Sequence, residues 1–128
     1  MSDFDPERFI FIKIQDALGP LARGDQYEDP LGNALAQHEL GEITGGGSQL
    51  GDDKPDGTPS IAFCGIDVDA TDRDRALALL RDQLASLRAP LGTEIHYTSS
   101  GARLQDDLTS SGWAIGLPRT ILHPYFEC

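Results

Sequence analysis

The sequence predicts an α+β protein. Three observations carry this: two β-rich apolar runs, "RFIFIKIQ" and "IAFCGIDVD", two stretches with helical periodicity and clear ends, and Gly/Pro/Asp punctuation between them. At 128 residues, 39 % of them hydrophobic, the chain suits one domain with one core. The expected division is a core of about 8–98 and a C-terminal extension, 99–128, within a single domain 1–128.

The elements follow in order. Arg8 to Gln15 turns to alternation at "IKIQ" and reads as a buried central strand. "YEDPLGNALAQHELG" reads as a short helix, with Asp29 as N-cap, Pro30 in the first turn and Gly41 as a left-handed terminator. "EITGG" is a short strand, in which Gly45 to Gly47 end the pairing and launch an acidic, mobile loop. Ile61 to Asp69 is the clearest strand, with Ala62, Cys64, Ile66 and Val68 on one face. The longest helix follows, with Thr71 as N-cap and Leu77, Leu80, Leu84 and Leu87 as its buried stripe, and Pro90 stops it. Thr93 to Thr98 is a further strand.

The resulting order, βαββαβ, is the ferredoxin-like arrangement: an antiparallel sheet with two helices on one face. The C-terminal extension carries an extra strand, because Trp113, Ile115 and Leu117 alternate. Ile121, Leu122, Tyr125 and Phe126 are placed across the sheet's open face.

Charge narrows the function. Twenty-one acids oppose ten bases, a net −11. Between Gly24 and Asp72 stand eleven acids and a single base, Lys54. Binding to a nucleic-acid backbone or an anionic membrane needs the opposite sign, so neither is an expected partner. A basic protein partner fits. The bland alternative is acidity that serves solubility alone. No apolar run is long enough to cross a bilayer, "MSDFDPERF" lacks a signal-peptide layout, and Cys64 and Cys128 make no disulfide framework. A cytoplasmic setting is the expectation.

Catalytic motifs are weak. In "GEITGGGSQLG" the spacing of Gly41 and Gly46 matches a phosphate loop, but Gly47 stands where the lysine is needed and no helix follows. The dinucleotide fingerprint fails at Leu50. "FCGIDVDAT" resembles the first motif of haloacid-dehalogenase-type phosphotransferases, which would make Asp67 a nucleophile and Asp69 an acid/base, with Mg²⁺. "IHYTSS" and Asp106-Asp107 would stand for later motifs, with Arg103 the one late base between them. The plainer reading is a strand running into a helix N-terminus, where acids are favoured. Asp67, Asp69, Asp72 and Asp74 could hold a divalent cation, though their spacing misses the calcium-loop pattern. His38, His96 and His123 have no metal-ligand spacing, and Ser99, Ser100, Ser110 and Ser111 lack a nucleophile elbow.

Taken together, "LARGDQYEDPLGNAL", "LGEITGGGSQLG", "FCGIDVD" and "LRAPLGTEIHY" resemble a family of small, mostly uncharacterised bacterial ferredoxin-like proteins, over about Phe9 to Tyr97. The resemblance implies the fold and transfers no catalytic residue. Size and charge add an analogy with immunity proteins that neutralise secreted toxins. The expected function is thus a non-enzymatic, acidic protein-binding module, without a cofactor, that inhibits a basic toxin domain by occlusion. Its partner-binding residues would be Asp25, Tyr27, Glu28, Asp29, Asp52, Asp53, Asp56, Asp67 and Asp69, with Tyr27 and the loop Gln49 to Pro59 as anchors. The alternative is a small Mg/Ca-dependent ligand binder or phosphotransfer enzyme built on Asp67 and Asp69, with Asp72 as a third ligand. A third reading is a homodimer formed through the sheet.

Overall fold

The computed structural model describes residues 7–14, 24–50 and 61–118. Its elements are β1 (Phe9–Ile14), a π-helical turn (Gly24–Glu28), α1 (Asp29–Gln37), β2 (Gly41–Leu50), β3 (Ile61–Ala70), α2 (Arg73–Ser86), β4 (Glu94–Ser99), β5 (Ala102–Thr109) and β6 (Gly112–Pro118). One six-stranded sheet runs β2-β3-β1-β4-β5-β6, and every neighbouring pair is antiparallel. The architecture is α+β. The sheet has six strands, and the C-terminal region supplies two of them rather than the single extra strand expected. The alternation of "ARLQDDLT" is largely polar and carries little strand signal.

Alternation builds the core. Ile10, Ile12 and Ile14 of β1 face the same way as Ile66 and Val68 of β3 and Ile95 and Tyr97 of β4. All are buried, in one cluster with Leu31 and Leu35 of α1 and Leu77, Leu80 and Leu84 of α2. Each fully buried Ile or Leu contributes about 2 kcal/mol, so this shared layer dominates the fold. The alternate residues of the sheet are also largely out of solvent: Phe9, Lys13, His96, Thr98 and Gln105 are buried. Ile121, Leu122, Tyr125 and Phe126, expected on that face, lie outside the described residues.

Helix ends differ from expectation in an instructive way. Glu28, not Asp29, occupies the N-cap position of α1, with helical dihedrals and no side-chain cap. The π-helical turn in front already leads the chain into the helix. At the other end Gly41 is not the terminator. Glu39 takes the left-handed conformation (φ 55°), and the amides of Leu40 and Glu39 donate to the carbonyls of Leu35 and Ala36. That is a Schellman closure without glycine. It recurs after α2, where Arg88 has φ 58° and the amides of Ala89 and Arg88 bond Leu84 and Ala85. Asp72, not Thr71, caps α2, its carboxylate accepting from the amide of Arg75 at 3.3 Å. The Thr71 hydroxyl instead donates to the carbonyl of Glu39 at 2.9 Å.

The glycines of β2 overturn a second expectation. β2 is ten residues long, and Gly45, Gly46 and Gly47 pair within it, opposite Asp67, Ile66 and Gly65. They continue the strand instead of ending it. A register shift between Ile43 and Gly45 marks a bulge, a place where glycine is favoured. At Gly65 the reason for glycine is contact, since a Cβ there would stand 2.6 Å from the Phe11 ring.

Candidate docking surface

The segment from the π-helical turn through β2 brings carboxylates together along one edge of the sheet. β2 is an edge strand of the described sheet, and α1 lies beside it, Gly32 meeting Ile43. Between them is an open groove of about 460 Å³, lined by Glu28, Asp29, Glu42 and Thr44 among others. A second hollow of about 290 Å³ adjoins it through Gly41 and Glu42 and adds Arg8, Glu39, Asp69 and Thr71. Among the described residues, five acids thus share this surface with one base.

That base is already engaged. Arg8 Nε lies 3.3 Å from Asp69 Oδ1 and donates to the Ala70 carbonyl at 3.0 Å. Both side chains of the pair are nearly half exposed, so screening keeps its contribution small. The pairing ties the start of β1 to the end of β3 and holds one wall of the hollow in place. The Thr71–Glu39 bond ties down the opposite wall. Glu39 and Glu42 are exposed.

The residues expected to meet a partner divide accordingly. Glu28, Asp29 and Asp69 line the surface, and Asp25 is exposed on the neighbouring turn. Asp67 is half-buried on β3, opposite Gly45. Tyr27 is a correction: it is 3 % exposed and belongs to the core, out of reach as a surface anchor. Asp52, Asp53, Asp56 and most of the loop expected as an anchor lie outside the described residues. Glu39, Glu42 and Arg8 were missed. Their clue is that Glu39 and Glu42 flank Gly41, where the chain turns from helix to edge strand.

Two observations bear on the carboxylates of β3. Among the described residues no three His, Cys, Asp or Glu side chains gather closely enough to hold a metal ion. β3, which carries Asp67 and Asp69, runs antiparallel to both neighbours, whereas the phosphotransferase resemblance requires a doubly wound parallel sheet. The motif is a strand leading into the α2 cap.

A comparison with protein-family models, with curated proteins and with solved structures finds no match.

Two polar networks elsewhere are structural. Asp106, fully buried on β5, accepts from Arg81 Nε and Nη2 of α2, each at 2.7 Å, from the Tyr97 hydroxyl at 2.7 Å and from the Gly116 amide at 2.9 Å. Trp113 Nε1 closes the network on the Arg81 carbonyl at 3.1 Å, so β5 is fastened to α2 by charge-assisted bonds and β6 by a neutral one. The second network is centred on Glu7. Its carboxylate accepts from the amides of Ser100 and Gly101 at the tip of the β4–β5 hairpin, at 2.8 and 3.0 Å, and from Arg73 at 2.9 Å.

Proposed function

We propose that the chain is a non-enzymatic, acidic binding module, an immunity-type inhibitor that neutralises a basic bacterial toxin domain by occlusion. The observation that carries this reading is the groove between α1 and β2 with its adjoining hollow, where, among the described residues, Glu28, Asp29, Glu39, Glu42 and Asp69 stand with one arginine that is already paired. Acids spread around such a rim accelerate encounter with Lys and Arg, while better-packed contacts set the lifetime of the complex. The four strands β2-β3-β1-β4 with α1 and α2 are read as a ferredoxin-like core, to which β5 and β6 are added at the β4 edge. A cytoplasmic site of action belongs to the same proposal. Among the described residues no helix is long and apolar enough to cross a membrane.

Co-expression with a basic toxin domain encoded beside the chain tests the proposal. The expected result is restored growth and a complex whose association slows as salt is raised. A chain that neither protects nor binds overturns it.

A further inference from the structure

We infer that β2 receives an extended, basic segment of the partner as an additional strand, with main-chain pairing along Gly45–Gln49; this rests on the acidic-binding reading above. β2 ends the sheet, so no described strand satisfies its outer row of backbone donors and acceptors. Natural edge strands are commonly protected by shortness, by lysine or by proline. β2 has none of these, being ten residues of "GEITGGGSQL". The bulge near Thr44 offers some protection, yet beyond it Gly45 to Gln49 continue in unbroken register against Asp67 to Phe63. Three consecutive glycines in that stretch bring no side chain of their own that would shield the backbone. Five residues are enough for a strand-addition contact of about 17 Å.

Charge selects the occupant. The regular stretch begins where the groove ends, at Gly45, and the groove behind it is lined by Glu28, Asp29 and Glu42. A second copy of this chain would bring the same carboxylates and a net −11 to the same edge. A segment carrying Lys or Arg at alternate positions meets no such repulsion. Its backbone bonds β2 while its basic side chains reach the acids.

Two fluorescent peptides test this by anisotropy: an eight-residue alternating Lys-Val peptide, and the same peptide N-methylated at both central residues. The second keeps the charge but loses donors on both of its edges. The expected result is binding of the unmodified peptide at least about tenfold tighter than of the methylated one. Binding should slow amide exchange at Gly45–Gln49. It should weaken in a Glu28→Gln, Asp29→Asn, Glu42→Gln variant. Equal binding of both peptides overturns strand addition and leaves the acidic surface standing as a binding site. Binding of neither overturns the acidic reading itself. Sedimentation of the free chain as a dimer, with Gly45–Gln49 already protected, overturns the proposal in favour of a second copy as occupant.

Discussion

The hydroxyl of Tyr97 donates a 2.7 Å hydrogen bond to Oδ1 of Asp106, and both side chains are buried beneath α2. Asp106 also holds the Arg81 guanidinium. Removing the carboxylate charge strands a cation that is only one-fifth exposed. Asp106→Asn is therefore expected to cost about 3–5 kcal/mol, as for a buried pair broken on one side. Tyr97→Phe loses a single bond to a charged acceptor, about 2 kcal/mol. Urea unfolding of the two variants checks the ranking, and a larger loss for Tyr97→Phe would contradict it.

The same pair predicts an alkaline transition. Burial first, and then the bond to and charge of Asp106, push the Tyr97 phenol from 10.0 up to about 12. Because the folded value is the higher one, this contribution to stability is complete below pH 10 and is lost as pH rises toward about 12. Ultraviolet titration should show one late tyrosinate step that disappears in Tyr97→Phe.

Glu7 predicts the acid side. The Gly101 amide, followed by the Ser100 amide and Arg73, holds its carboxyl below 4.5 against the opposing effect of burial. A lowered folded value means stability that is present above the unfolded pKa and lost as pH falls through the folded one. Glu7→Gln should therefore flatten the decline in melting temperature below about pH 4.5. An unchanged slope would show that Glu7 titrates alike in both states.

Glu39 and Arg88 hold left-handed conformations that cost an L-residue about 1 kcal/mol or more. Arg88→Gly is expected to stabilise the protein by about 0.5–1 kcal/mol, glycine's extra unfolded-state entropy offsetting part of the gain. Glu39→Gly should do the same while also removing an acid from the candidate surface. A fall in melting temperature for Arg88→Gly would contradict the strain.

Gly41 gives the opposite outcome. With φ 156° and a Cβ placed 2.5 Å from the Asp69 carbonyl oxygen, it has no room for a methyl group. Gly41→Ala should cost about 1–3 kcal/mol and shift the amide resonances of Glu42 and Ala70. A neutral substitution would mean that β2 can retreat from β3 at that point.

What was legible in the sequence was periodicity. Ile10, Ile12 and Ile14 announced β1, and Leu77, Leu80 and Leu84 announced α2, because burial imposes spacing on apolar residues. Sequence pattern marks only half of β2, since glycine has low intrinsic strand preference and only the ladder offered by β3 carries the chain through Gly45–Gly47. Asp106 sits in a polar stretch, and its partner Arg81 is 25 residues upstream, a pairing that no local pattern encodes. The acidity of the candidate surface was plain from composition. Its shape was not, because Arg8, Glu39, Glu42 and Asp69 converge only when β1, β2 and β3 assemble.

The central position of β1 also bears on how the chain finds its structure. β2 and β3 are consecutive and paired, as are β4, β5 and β6, so each block can close through short separations. β1 alone joins them, pairing with β3 on one side and β4 on the other, and Glu7 just before it reaches Ser100 across 93 residues. Such long closures slow folding. On a growing chain, Ile10, Ile12 and Ile14 must wait beside a waiting β3 until β4 has been made. The strand synthesised before all the others described is therefore the one that joins the two blocks, and its second edge is covered only once β4 has been made.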